Sequence, residues 1–162
     1  AIREQLNKPP GKLTKADLNK VTSLVVTRKD ISDLTPFSEL TELETLTVFA
    51  NKITHLKPLQ KLTKLKHLNL QDNQIVDLSG LEEMKDLNYL NLHVNRITDI
   101  TPLSRLTKLE RLLLSGNRIT DLTTLTKLKK LRELTLGGNS KLTKAQQDKL
   151  QIALPLCGIS RH

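Results

Sequence analysis

The stretch from residue 87 to residue 97, LNYLNLHVNRI, decides the fold because its frame of leucines and asparagine recurs along the chain. The frame is LxxLxLxxNxI, and its copies lie 22 residues apart. LKHLNLQDNQI and LERLLLSGNRI match it in full, while LETLTVFANKI and LRELTLGGNS are close variants. An earlier copy, VTSLVVTRKDI, carries Lys29 where the asparagine is expected. A fixed period of this length indicates a repeat architecture, so we predict six stacked repeats.

Each repeat is predicted to contain one short strand and one return segment. The LxL part alternates between two faces, as a strand does. After the isoleucine, apolar residues fall at every third position, as in Ile97, Ile100, Leu103 and Leu106. This spacing favours a 3₁₀-like segment over an α-helix, and the prolines of LTPF, LKPL and ITPL also favour a turning backbone. Stacked units of this kind form a solenoid with a parallel sheet.

These motifs closely resemble the leucine-rich repeat family, and the 22-residue unit with LTPL-type endings is similar to its internalin-like bacterial subclass. The resemblance covers about residues 21–142. It implies an α/β repeat solenoid that is curved and right-handed, with a parallel sheet on the concave face and 3₁₀-like segments on the convex face. It also implies binding to other macromolecules, and it slightly favours a secreted or cell-surface location. The C-terminal LTKAQQDKLQIALPLCGISRH does not continue into an immunoglobulin-like segment, so host-receptor binding is not carried over.

The two ends of such a solenoid need covers, because open ends would expose core leucines and strand edges. We therefore predict a single domain over residues 1–162, with an N-terminal helical cap at 1–20, six repeats at 21–142 and a C-terminal helical cap at 143–162. Thr14 and Thr143 are candidate helix N-caps, and Pro155 should stop the C-terminal helix. The segment IREQL could form an earlier helix.

The asparagine of the frame has a predicted structural role. Its amide can bond backbone groups that are left unpaired where each strand turns, and successive copies can stack along the array. The predicted ladder consists of Asn51, Asn73, Asn95, Asn117 and Asn139. The single cysteine, Cys157, excludes an intrachain disulfide and is expected to be a small buried apolar residue.

The positions between the leucines are predicted to face the concave side. Of the three aromatic residues, Phe37 occupies a core column, whereas Phe49 and Tyr89 fall on this surface. A large ring in solvent contributes little to folding but can anchor a partner. We predict a partner-binding surface centred on Tyr89 and His93, and tolerated surface variation is the alternative interpretation. The full set is Phe49, His67, Asn69, Tyr89, Asn91, His93 and Arg111.

Charge is distributed unevenly. The net charge of +9 comes from 26 basic and 17 acidic residues, yet residues 21–126 contain 13 of each sign. The excess lies at the ends, with +3 in residues 1–20 and +6 in residues 127–162. Basic ends could dock on an acidic glycan, an anionic membrane surface or nucleic acid, or they could simply prevent end-to-end stacking.

Within the repeats, residues of opposite sign recur at the repeat spacing, for example Glu42 with Lys64 and Glu83 with Arg105. Neighbouring repeats would place these residues about 5 Å apart at the backbone. Each exposed pair contributes about 0 to 1 kcal/mol, so we expect them to set register and solubility rather than form a site.

Catalysis is not expected. No positioned serine or cysteine nucleophile and no phosphate-binding glycine loop is present, and His67 and His93 should lie roughly 13 Å apart, too far to share a metal ion.

No apolar run approaches the roughly 20 residues of a membrane-spanning helix. We expect a monomer without cofactor, metal or small-molecule substrate. The favoured function is a non-catalytic module whose concave face binds a protein, and the alternative is electrostatic docking through the basic ends.

Overall fold

The computed structural model describes residue 11 and residues 13–161 of the chain. The segment IREQL, for which an earlier helix is expected, lies outside these residues. Among the described residues, no helix is long and apolar enough to cross a membrane.

A parallel sheet runs through the length of the molecule, and its strands follow one another in chain order. Equivalent positions of the repeat frame pair with each other, so Leu46 is opposite Leu68 and Leu68 is opposite Leu90. This arrangement confirms the predicted parallel sheet. The strands are β1 (Ser23–Val25), β2 (Thr45–Thr47), β3 (His67–Asn69), β4 (Tyr89–Asn91), β5 (Arg111–Leu113), β6 (Glu133–Thr135) and β7 (Gly158–Ser160).

The return segments confirm the predicted 3₁₀ character in four repeats. They span Thr35–Phe37, Lys57–Leu59, Thr101–Arg105 and Thr123–Lys127. The third repeat differs, because its return segment contains turns at Gly80 instead of a 3₁₀ helix. Gly80 has a φ of +106°, and a Cβ at this position would come within 2.7 Å of the Leu56 carbonyl oxygen. Glycine is therefore required by both backbone conformation and close packing.

Helices lie at both ends of the described residues. Helix α1 spans Lys15–Leu18 and helix α2 spans Lys144–Ala153. Thr14 and Thr143 are their N-caps, and each hydroxyl accepts a hydrogen bond from a backbone amide at 3.2 Å. Helix α2 ends two residues before Pro155. That these helices protect the ends of the solenoid stays a prediction.

The core is a continuous stack of leucines and isoleucines. Leu68, Leu90 and Leu112 are all 0% exposed. Phe37 and Cys157 are also buried, as expected from the sequence, and desolvation raises the pKa of the Cys157 thiol. The regular burial of the central leucine in strands β1 to β6 fixes which side chains can face solvent from the sheet.

Asparagine side chains join neighbouring repeats beneath the ends of the strands. The Nδ2 of Asn95 donates to the Leu70 carbonyl of the preceding repeat at 3.0 Å and to the Leu92 carbonyl of its own repeat at 3.1 Å. Its Oδ1 accepts from the Ile75 amide at 3.0 Å. The other members are buried and make equivalent bonds, so one side chain satisfies three backbone groups in two repeats. At the start of the array, Asn51 bonds the Lys29 amide.

Ion pairs also connect neighbouring repeats on the solvent-exposed flanks, as their spacing predicted. Lys64 lies 2.6 Å from Glu42, and Arg105 lies 2.8 Å from Glu83. These side chains are between 37% and 64% exposed, so each pair contributes about 0 to 1 kcal/mol at most.

Candidate functional site

One row of side chains crosses the sheet at the position before the second leucine of each frame. Its members occupy the same register on consecutive strands, so their side chains project from one face about 4.8 Å apart at the backbone. We call the face that carries this row the concave face. The row consists of Ser23, Thr45, His67, Tyr89, Arg111 and Glu133.

Tyr89 is flanked on both sides within this row. The His67 ring lies 6.1 Å away between centroids at an angle of 38°, and the Arg111 guanidinium carbon lies 5.5 Å from the Tyr89 ring centroid. Arg111 is itself fixed, because its Nε donates to a Glu133 carboxylate oxygen at 2.7 Å. The Glu133 carboxylate raises the pKa of Arg111 through this hydrogen bond and its charge. The tyrosine ring is therefore held in position before any partner arrives.

A groove of about 500 Å³ opens beside this row. It contains four of the seven residues predicted to bind a partner, namely His67, Asn69, Tyr89 and Arg111. The lining residues are Thr45, Leu46, Thr47, His67, Leu68, Asn69, Asn88, Tyr89, Glu110 and Arg111.

Asn88 and Glu110 were missed by the sequence analysis. Each stands immediately before a strand, one position ahead of the residues considered there as concave. The repeat spacing could have identified them, because Asn88 and Glu110 are 22 residues apart and continue the column of Glu44 and Lys66.

Phe49 and His93 lie outside the groove lining, although both are partly exposed. Phe49 has its own cationic neighbour, since the Arg28 guanidinium carbon lies 5.6 Å from its ring centroid. The concave face thus carries two separate arginine–aromatic pairs, of which only Arg111 and Tyr89 line the groove.

Asn91 was expected to expose its side chain on the concave face, but the structure buries it. It is only 5% exposed. Its Nδ2 donates to the Gln71 side chain at 3.1 Å, and its Oδ1 accepts from the His93 amide at 3.0 Å. Both polar groups are thus used within the protein, and the assignment of Asn91 to the accessible surface is wrong.

The position before each ladder asparagine, and the matching position before Lys29 in the first repeat, has a left-handed backbone. Arg28, Ala50, Asp72 and Val94 have φ values between 52° and 55°. The last two repeats place Gly116 and Gly138 at this position, with φ values of 69° and 72°. Val94 is the least suited of these residues, because a β-branched side chain disfavours this region. It is also 44% exposed.

Metal-binding chemistry finds no support in the part of the chain that the structure describes. No group of three or more histidine, cysteine, aspartate or glutamate side chains is placed to hold a metal ion there. Between residues 13 and 161, no serine or threonine hydroxyl and no cysteine thiol donates a hydrogen bond to His55, His67 or His93.

The frame, the parallel sheet and the asparagine ladder define a leucine-rich repeat solenoid. The family model for leucine-rich repeats in two copies matches residues 63–105 and 107–150, which is more than half of the chain. The chain belongs to the leucine-rich repeat family. Within this family it is internalin-like, as its similarity to solved internalin structures shows.

Three solved structures illustrate the similarity. An internalin (InlF) of Listeria monocytogenes is 27% identical with a TM-score of 0.75, and the match covers 98% of this chain and 53% of that one. A leucine-rich repeat protein of Leptospira interrogans is 27% identical with a TM-score of 0.83, over 89% of this chain and 38% of that one. Internalin C2 of Listeria monocytogenes is 25% identical with a TM-score of 0.63, over 99% and 91% of the two chains. The chain therefore spans about half or less of the first two proteins. No curated protein sequence matches it.

Proposed function

We propose that this solenoid is a non-catalytic module that binds a protein partner through its concave face, with Tyr89 at the centre of the contact. The observation that carries this proposal is the position of the Tyr89 ring between His67 and Arg111 at the edge of an open groove. Leucine-rich repeat proteins commonly bind other proteins, which supports the same function.

The energetics of interfaces favour Tyr89 as an anchor. Binding energy concentrates in a few residues, among which tyrosine and arginine are enriched. Ordering a side chain on binding costs about 0.5 to 1.5 kcal/mol. His67 and Arg111 already restrict the Tyr89 ring in the folded protein. Binding therefore removes less conformational freedom from this side chain. The core does not need the ring either, because Leu90 on the opposite side of the strand is the fully buried residue.

Among the described residues, no hydroxyl or thiol is activated as a nucleophile, which supports a role without catalysis. Nucleophilic catalysis requires a hydroxyl or thiol hydrogen-bonded to a base, or a thiol whose pKa is lowered. Cys157 is 4% exposed, and burial raises the pKa of its thiol. The histidines beside the groove make no such pair within the described residues.

Site-specific photo-crosslinking tests the proposal. A benzophenone amino acid would replace Tyr89 in one sample and Val76 in another, since Val76 is 47% exposed and outside the groove. A partner captured by the intact domain should form an adduct from position 89 and not from position 76. If the partner still co-purifies but crosslinks equally from both positions, or only from position 76, the concave face is not its binding surface.

Electrostatic docking is a second candidate, favoured by the ion pairing at the C-terminal end. The acidic residues of the described segment 127–161 are both engaged, Glu133 with Arg111 and Asp148 with Arg161. Within the described part of the chain, the remaining basic residues of that segment have no carboxylate within 4.0 Å. They are Lys127, Lys129, Lys130, Arg132, Lys141, Lys144 and Lys149.

A salt titration separates the two functions. If a polyanion binds to these basic residues, the logarithm of its binding constant should fall linearly with the logarithm of the salt concentration. The slope is set by the number of ionic contacts. Binding through Tyr89 and the groove should depend less steeply on salt, because Glu110 is the one unpaired charge among the described residues that line the groove, so few ions would be released.

A further inference from the structure

Few carboxylates lack a partner in the part of the chain that the structure describes, and their location is informative. Most are engaged in ion pairs, such as Glu42 with Lys64, or in turns, such as Asp121 with the Thr123 amide at 2.8 Å. Over Gly11 and residues 13–161, the two that make neither an ion pair nor a hydrogen bond are Asp72 and Glu110. Glu110 is exposed and lines the groove beside Tyr89.

The cations next to the groove are already neutralised. Arg111 pairs with Glu133 at 2.7 Å, and Lys66 pairs with Glu44 at 2.9 Å. Together with Glu110, these five residues carry two positive and three negative charges, a net of −1. The unbalanced charge at the groove is therefore the Glu110 carboxylate.

Arg132 does not neutralise the negative charge of Glu110, although it occupies the equivalent position one repeat later. No ion pair joins the two side chains within 4.0 Å. The charge of Arg132 instead acts on Cys157, whose pKa it lowers against the larger effect of burial.

Two further polar groups of the groove lack an intramolecular partner. Within the described residues, neither the Asn88 side-chain amide nor the Tyr89 hydroxyl makes a hydrogen bond. Asn88, Tyr89 and Glu110 together offer a carboxylate, an amide oxygen and a hydroxyl oxygen as acceptors. An anionic ligand would find no unpaired guanidinium or ammonium group in the groove lining and would meet Glu110.

We propose that the groove receives a basic side chain of the protein partner, an arginine or a lysine, which pairs with Glu110 beside Tyr89. The inference rests on the proposed function of the concave face and specifies the chemistry of its partner. Arginine offers five donors in a planar fork and lysine offers three, so either can engage Glu110 and the neighbouring Asn88 oxygen together. A charged donor and acceptor make stronger hydrogen bonds than neutral groups do.

A titration with two matched peptides tests the choice of a cation. Amide NMR spectra of the intact protein would be recorded with acetyl-Gly-Arg-Gly-amide and with the same peptide carrying citrulline, which has the shape of arginine without its charge. The arginine peptide should shift the amide signals of residues 88, 110 and 111 in a saturable way. The citrulline peptide should bind about tenfold more weakly, since its ureido group can still donate to Glu110 but no longer carries the positive charge that strengthens the hydrogen bond. Equal shifts with both peptides, or no shift at the groove, would overturn the proposal.

Substitutions locate the counter-ion. Glu110→Gln keeps the shape of the side chain and should remove the preference for arginine over citrulline. Glu42→Gln is the matched control, because its carboxylate pairs with Lys64 on a flank, and it should retain that preference. Retained preference in Glu110→Gln would overturn the role of Glu110.

The two proposals fail in different ways. If a captured protein crosslinks from position 89 and binds Glu110→Gln as tightly as the unmodified protein, the concave face is the binding surface but the basic side chain is not its ligand. If nothing crosslinks from position 89 while arginine still shifts the groove signals, the cation site stands and the concave interface with a protein does not.

Discussion

The Asn95 side chain donates a hydrogen bond of 3.0 Å to the carbonyl oxygen of Leu70, a residue 25 positions earlier in the chain. This bond crosses from one repeat to the next and lies in the buried part of the molecule. The same side chain also bonds three other backbone groups, those of Ile75, Leu92 and His93, so it connects neighbouring repeats and holds the turn that ends the strand.

Asn95→Ala should therefore destabilise the protein. Removing the amide leaves buried backbone groups of Leu70, Leu92 and Ile75 without this partner, and an unsatisfied buried group costs about 1 to 3 kcal/mol. The free energy of unfolding, measured by denaturant titration, should fall by at least that amount. Arg96→Ala, at the exposed next residue, is the control and should change it little.

Substitutions at two neighbouring residues of β4 should separate folding from surface function. Leu90 is 0% exposed, so Leu90→Ala should cost about 2 to 5 kcal/mol through a core cavity. Tyr89→Ala should cost far less, because the ring projects from the concave face. Denaturant melts of both variants measure the difference. Global unfolding of Tyr89→Ala would mean that the ring supports the fold.

Much of this architecture could be predicted because the leucine frame specifies burial at fixed positions. Strand β7 was not predicted, since Gly158–Ser160 carries one apolar residue, Ile159, and lacks the frame. Asn91 was misplaced because its burial depends on a hydrogen bond to Gln71 in another repeat, which no pattern within one repeat records. The unpartnered state of Glu110 likewise depends on where the side chains of adjacent repeats point.

Val94→Asn should stabilise the protein. The left-handed backbone at φ 52° costs an ordinary residue roughly 1 to 2 kcal/mol, whereas asparagine tolerates it. We expect the free energy of unfolding to rise by about 0.5 to 1 kcal/mol, since little buried area is lost at an exposed valine. Val76→Asn is the matched control, because Val76 is similarly exposed and has no positive φ. An equal effect of both substitutions would remove backbone strain as the cause.

The contribution of Asp121 should disappear in acid. Hydrogen bonds from the Thr123 hydroxyl and amide hold the pKa of Asp121 below its usual 3.8. Because the folded pKa is the lower one, the stabilisation is present above about pH 4 and is lost as the pH falls through the folded pKa. Asp121→Asn keeps an acceptor oxygen but does not titrate. Its free energy of unfolding should lie below that of the unmodified protein at pH 6, and this gap should narrow between pH 4 and pH 2. A constant gap would contradict the account.

The affinity of Tyr89→Ala for a captured partner tests the central claim most directly. The dissociation constant would be measured by calorimetry beside the unmodified protein and Val76→Ala, after denaturant melts have shown that all three are folded. We predict a loss of about 2 kcal/mol for Tyr89→Ala, or roughly thirtyfold weaker binding, and no change for Val76→Ala. An unchanged dissociation constant for a folded Tyr89→Ala would contradict the proposal that this ring anchors the partner on the concave face.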